Sequence, residues 1–231
     1  MKILAVDTAT ASGSIALLED TRLMAEWTLH SAQTHNRRLL KHIDLFLKDL
    51  GWTLEQLDGF AVTIGPGSFT GLRIGVTTIK TLAWAAGKPF VGISSLDVLA
   101  APFGYASYPV CALIDARKGE IYHAFYQPDG KGHIRLLAPF QVDSPERIVE
   151  KTQGRTLFCG DGWPLCRKLF EKKLGDWAVP ASGSYHSIRA GYLGELARKR
   201  LQEQSGEDPM TCVPLYVRAS EAEIRHPQPG S

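Results

Sequence analysis

The sequence predicts an α/β protein of two duplicated lobes, each a mixed sheet flanked by helices. Three observations carry that prediction. An apolar run closed by an aspartate occurs twice, first at residues 2–6 before Asp7 and again at residues 110–114 before Asp115. Each is followed by a short loop and two further strand-like runs, which makes two three-stranded meanders in the same order. Helical periodicity follows both meanders.

Taken in order, residues 2–6 are short, apolar and unbroken, as a buried strand requires. Residues 13–18 and 22–29 read as the next two strands, joined by the polar turn Glu19-Asp20-Thr21. Residues 34–50 form a helix in which Leu39, Leu40, Ile43, Phe46, Leu47 and Leu50 make a broad stripe that must be covered. Gly51 closes this helix, residues 53–57 add one turn, and a strand at 59–64 leads into Gly65-Pro66-Gly67. A long helix opens at about Thr70, capped by Ser68 or Thr70, and runs to Ala86. Gly87-Lys88-Pro89 breaks it, residues 90–93 are another strand, and Ser94 or Ser95 caps a helix reaching Ala101. Residues 102–109, with a glycine, two tyrosines and two prolines, mark the boundary, so the N-terminal lobe is expected at 1–104.

The C-terminal lobe, 105–204, opens with strands at 110–117, 120–126 and 133–138. The loop between its first two strands is about two residues shorter than the one in the first lobe. Ser144 as N-cap and Pro145 at the first helical position start a short helix. Residues 156–159 are a strand with Gly160-Asp161-Gly162 as its exit turn, and residues 164–174 and 187–204 are helical. The segment 205–231 is expected to pack back on the first lobe, with 213–218 extended and the Pro-rich 225–231 a loose tail.

Composition sets the outer bounds. A chain of 231 residues with 44% hydrophobic and 22% charged residues has the makeup of a soluble globular protein and the length to bury a sizeable core. A formal charge of +2 advertises neither a nucleic-acid nor a membrane surface. Clusters such as Arg37-Arg38, Lys172-Lys173 and Arg198-Lys199-Arg200 read as solvated helix faces. Cys111, Cys159, Cys166 and Cys212 form no CxxC pair and read as reduced thiols. Met1-Lys2 passes straight into a strand, with no signal-peptide pattern and no membrane span, so the chain reads as cytoplasmic. His35 and His42 lie seven residues apart, too far to share a metal on one helix.

Two stretches carry functional meaning. Strand, glycine turn and helix at 59–86 can present N–H groups to an anion, and the same glycines make an ordinary strand-to-helix turn. No Walker lysine and no GxGxxG register is present, which favours the ordinary turn. Asp7, at a strand end before Thr8, can hold a metal-bound water near phosphates or stabilise its own turn. The helix 70–86 is more telling. Leu72, Val76, Ile79, Ala83 and Ala86 fall on one stripe, while Ile74, Thr77, Thr78, Thr81, Trp84 and Ala85 make an opposite side without charge, with Arg73 and Lys80 at its margin. A helix surface of that kind is expected to be covered, either by another segment of the same chain or, as its small and aromatic residues favour, by a partner protein.

Duplicated meander-plus-helix lobes with strand-end aspartates describe the actin, Hsp70 and sugar-kinase architecture, with a nucleotide cleft between the lobes. Lys-Ile-Leu-Ala-Val-Asp-Thr-Ala-Thr at 2–10, Gly-Pro-Gly-Ser-Phe-Thr-Gly-Leu-Arg-Ile-Gly at 65–75, Ile-Asp-Ala-Arg-Lys-Gly-Glu-Ile-Tyr at 114–122 and Pro-Leu-Tyr-Val-Arg at 214–218 closely resemble the bacterial TsaB (YeaZ) family over nearly the whole chain. The resemblance implies a role in forming N6-threonylcarbamoyladenosine next to the anticodon of tRNAs that read codons starting with A. In the relative TsaD the transfer uses a metal held by an HxxxH pair downstream of the Gly-Pro-Gly loop. Here residues 93–100 read Ile-Ser-Ser-Leu-Asp-Val-Leu-Ala, without histidine, and His30, His35 and His42 lie upstream. The resemblance therefore implies a non-catalytic scaffold with no catalytic residue and no metal of its own. It would pair with itself when alone, bind TsaD as a heterodimer, accept TsaE, and meet tRNA only through the complex.

The implied contact surface comprises Leu40, Leu47, Ile74, Thr77, Thr78, Thr81 and Trp84. Asp7, Thr8, Gly65, Gly67 and Asp115 occupy positions that bind phosphate or metal in related folds. Thr10 to Gly13 and Arg117-Lys118 depart from the glycine-rich hairpins of kinases, which implies a vestigial cleft that takes ATP and magnesium only with partners, if at all. The alternative is a free-standing enzyme of the same architecture, a small-molecule kinase or a glycoprotease. Ser68, Cys111 and Asp115 are present for it, but no histidine stands at a recognisable spacing from them. A direct tRNA-binding module is disfavoured by the near-neutral charge.

Overall fold

A computed structural model of the chain describes residues 1–30, 36–203, 206, 213–215 and 217, with the side chains of 36–38 left aside. Thr34 and His35 at the start of the expected helix, Cys212, and most of the segment 205–231 with its tail at 225–231 lie outside the described residues. The first lobe holds β1 (Lys2–Asp7), β2 (Ser12–Glu19), β3 (Arg22–His30), α1 (Asn36–Asp49), β4 (Gly59–Gly65), α2 (Phe69–Ala86), β5 (Phe90–Ser94) and α3 (Ser95–Ala100). The second holds β6 (Val110–Arg117), β7 (Glu120–Pro128), β8 (Ile134–Leu136), β9 (Gln141–Asp143), α4 (Pro145–Lys151), β10 (Thr156–Cys159), α5 (Trp163–Leu174) and β11 (Ala178–Pro180), followed by α6 (Ala190–Glu203). The strands β9 and β11, three residues each, are additions that no sequence periodicity announced.

The duplication extends to sheet topology. The first sheet runs β3-β2-β1-β4-β5, and the second, read from its far edge, β8-β7-β6-β10-β11. In each, an antiparallel meander is extended by two parallel strands. Strand alternation splits the apolar residues between two faces. Ile3 and Ala5 join an inner core while Leu4 and Val6 join an outer one, and Val110, Ala112 and Ile114 face inward while Cys111 and Leu113 face outward. The outer core of the first sheet is closed by α1 and α2, and that of the second by α4 and α5.

Between the sheets lie α3 and α6, whose Leu96, Leu99, Leu193 and Ala197 fill the inner core. The position of α6 corrects the expected domain division. The helix sits after the second lobe in sequence but packs on β1, β2, β4 and β5 of the first sheet. It is held there by groups of the first lobe. Ala190 N donates to Ser14 Oγ (3.0 Å), Gly191 N donates to Glu26 Oε1 (2.8 Å), and the Arg189 guanidinium pairs with Glu26. A carboxylate from β3 thus satisfies an open N–H of the α6 start and meets its positive end. Glu26→Ala is expected to cost about 2 kcal/mol, because it removes charge-assisted bonds and leaves a part-buried N–H unmatched. Denaturant melts of the full chain would measure it, and an unchanged midpoint would show that α6 is seated by its apolar face alone. A second tie links α3 to the other sheet, where Tyr126 donates to Asp97 Oδ1 (2.8 Å).

Candidate functional site

The C-terminal ends of β1, β6 and β10 bring three aspartates toward the space between the lobes. Asp7 is fully buried. Its Oδ1 accepts from Thr63 Oγ1 (2.7 Å) and Ala9 N (3.0 Å), whereas its Oδ2 is buried without a hydrogen-bond partner. Burial pushes the carboxyl up to about 7, against those two donors, and the charge of Asp161 adds to the rise. Asp161 is itself pushed up to about 6, chiefly by burial, while its Oδ1 accepts from Asp115 N (3.2 Å). Asp115 pairs instead with Arg117, at 3.1 Å from Oδ2 to Nη1, and its Oδ1 accepts from Arg117 N (2.8 Å).

The carboxylate that faces Asp7 electrostatically is therefore Asp161 rather than Asp115, the one expected. The available signal was positional. Gly160-Asp161-Gly162 follows the fourth strand of the second sheet, as Gly65-Pro66-Gly67 follows that of the first.

The glycine loop is occupied by the protein's own backbone. Ser68 N donates to Ala9 O (2.6 Å), and Ser68 Oγ caps α2 by accepting from Gly71 N (3.2 Å). A side chain at Gly67 would strike Ala9 O, one at Gly71 would strike Thr8 O, and one at Gly75 would strike Thr8 Oγ1. Thr8 is buried and donates to Gly71 O (2.7 Å). Gly65 takes φ +119°, and Leu215 closes on it by donating its N–H to Ile64 O (2.6 Å). Thr8, Gly65 and Gly67 thus act in packing, and the close approach of β1 to α2 is what requires the glycines.

Of the stripe expected on α2, Leu72, Val76, Ile79 and Ala83 are buried and Ala86 is half-buried. Thr77, Thr81, Trp84 and Ala85 are exposed, with Trp84 at 74%. Ile74 and Thr78 are half-buried, and Leu40 of α1 is exposed at 53%. Leu47 does not belong to this surface. It is 9% exposed and sits in the outer core with Leu39 and Ile43, whereas Leu40, two turns earlier and on nearly the same side of α1, stays exposed.

The groups that a hydrolase would need are otherwise engaged. Ser68 is a helix cap, and Cys111 is buried with its thiol pushed well up by desolvation. His42 stacks on Trp27, and His30 Nδ1 is 3.1 Å from Ser12 Oγ. Among the described residues no group of three His, Cys, Asp or Glu could hold a metal ion, and no helix is long and apolar enough to cross a membrane.

Two lobes of matching strand order, with aspartates at the strand ends between them, define a protein of the actin, Hsp70 and sugar-kinase architecture. A dehydratase activator from Clostridium difficile with bound ADPNP shares that fold, with a TM-score of 0.53 at 10% identity over 88% of this chain and 98% of the activator. The TsaD family model, described as tRNA N6-adenosine threonylcarbamoyltransferase, matches residues 29–226. The tRNA threonylcarbamoyladenosine biosynthesis protein TsaB of Bacillus subtilis is 33% identical, with 97% of each chain covered. That of Escherichia coli is 38% identical over 71% of this chain and 72% of its own length. YeaZ from Pseudomonas aeruginosa superposes with a TM-score of 0.79 at 30% identity, over 93% of this chain and 99% of YeaZ. The chain belongs to the TsaB family of tRNA threonylcarbamoyladenosine biosynthesis proteins.

Proposed function

We propose that this chain is a non-catalytic scaffold subunit of the cytoplasmic tRNA threonylcarbamoyl-transfer assembly, which binds and organises a TsaD protein and accepts TsaE. One observation carries the reading. The outer face of α2 offers Thr77, Thr81, Trp84 and Ala85 to solvent without a charge among them, beside Leu40. An indole three-quarters exposed gains by burial against an apolar partner, and charge depletion marks the centre of protein interfaces. TsaD occupies this face in the heterodimer, and a second copy of the chain occupies it when TsaD is absent. Asp7, Thr8, Gly65, Gly67 and Asp115 form a vestigial cleft, and the chain holds no nucleotide or metal by itself. The contacts that occupy Thr8, Ser68 and the glycines support that view.

Thr78→Glu tests the role, since it sets an unpaired carboxylate at the centre of the face. Its affinity for TsaD is expected to fall at least about tenfold, the equivalent of 1.4 kcal/mol. Reconstituted tRNA modification should fall with it, and should also require the unmodified chain. Equal capture of TsaD by the variant would place the contact elsewhere. Modification of tRNA by the chain alone would end the non-catalytic reading.

A further inference from the structure

We infer that the edge of the second lobe remote from the interlobe aspartates is an RNA-contacting platform, formed where Tyr108, Arg155 and Trp177 stand side by side at the starts of three parallel strands. The sheet register makes the juxtaposition. Leu157 of β10 pairs with Val110 of β6, and Thr156 pairs with Ala178 of β11. Carried back to residue 155, the same register sets Arg155 between Tyr108 and Trp177. The Arg155 guanidinium lies over the Tyr108 ring, 4.8 Å from its centroid. Trp177 is 47% exposed, and the last turn of α5 delivers the exposed Lys172 and Lys173 just before it.

Chemistry selects the occupant. Stacking surfaces set among cations match unpaired bases on a phosphate backbone. A protein partner fits less well, because lysine is depleted where proteins meet. The duplication sharpens the contrast. The helices α2 and α5 follow equivalent strands, yet α2 keeps its cations, Arg73 and Lys80, at the margin of its outer face while the outer side of α5 carries Lys168, Lys172 and Lys173.

Lysines in a last helical turn also offset the helix dipole. That role accounts for neither Arg155, which lies outside the helix, nor an open indole. Acidic groups flank the patch in sequence, with Glu150 exposed at the end of α4. Glu171 is paired with Arg167 at 2.7 Å, and Asp176 is exposed beside Trp177. The net charge of +2 confines the attraction to this local patch, so the chain itself is expected to bind RNA weakly and most measurably at low salt. The inference deepens the proposed function and rests on it only for the identity of the RNA as tRNA.

The test titrates the full-length chain with fluorophore-labelled tRNA at low salt. Trp177→Ala, Arg155→Glu and the pair Lys172→Glu with Lys173→Glu are each expected to weaken binding about tenfold. Each cation lost should lower the salt dependence by about one in log–log slope. Lys131→Ala in the exposed β7–β8 turn should leave tRNA affinity unchanged, and the Trp177, Arg155 and lysine variants should keep their affinity for TsaD, so failure here and failure of the TsaD contact are separable. The lysine pair is fully exposed and keeps the test valid should Trp177→Ala disturb folding. Unmeasurable binding by the wild-type chain overturns the inference, as does wild-type affinity in the charge-reversed variants. A fully paired duplex bound as tightly as tRNA overturns it as well, since stacking needs unpaired bases.

Discussion

Asp7→Asn is expected to stabilise the chain by about 2–4 kcal/mol near pH 8 and to leave it almost unchanged near pH 4. The carboxyl sits at about 7 in the fold against 3.8 in an unconstrained chain, because burial disfavours the anion and Asp161 adds like charge. Between those two values the folded state holds the proton that the unfolded chain gives up. Stability is therefore full below the lower value and falls as pH rises through the window. Asparagine removes that dependence at little structural cost. Its carbonyl oxygen can keep the bonds from Thr63 and Ala9, and its NH2 group takes the place of the unpartnered Oδ2 without carrying a charge. Urea melts of both proteins at several pH values would measure the effect. A gap between the two that does not widen from pH 4 to pH 8 would mean that Asp7 folds as an anion with a cation beside it.

That carboxylate also shows what a sequence can reveal and what it cannot. A strand ending in Asp7 is legible, because an apolar run must stop where polar loop residues begin. Its electrostatic partner is not, since strand periodicity says nothing of which turn another lobe brings opposite. The repeat of strand, Gly-x-Gly turn and helix in both halves was sufficient to single out Asp161, but only once the two sheets were aligned by topology. The same limit explains α6. Its amphipathic pattern requires burial and is silent on which sheet provides it, and the deciding contacts to Ser14 and Glu26 span more than 160 positions. Leu47 illustrates a related limit. Leu40 and Leu47 are two turns apart and share nearly one side of α1, so periodicity does not distinguish them, and only the way the helix meets the sheet buries one and exposes the other. The strands β9 and β11 are too short to show a period at all.

Gly71→Ala should destabilise the chain by about 2–3 kcal/mol, although alanine at an ordinary helical position would stabilise by about 1 kcal/mol. A methyl group there points at the carbonyl oxygen of Thr8, inside van der Waals contact, and backbone cannot yield as a flexible side chain would. Moving α2 away would also stretch the bond from Thr8 Oγ1 to Gly71 O and the one from Ser68 N to Ala9 O. These contacts bind the first lobe's central strand to the helix that carries Trp84, so the substitution should loosen the partner-binding face as well as the fold. Thermal and denaturant melts would record the first effect, and TsaD affinity the second. Because the clash is with the backbone of β1, the loss of stability measures how tightly the strand and the helix are joined at this glycine.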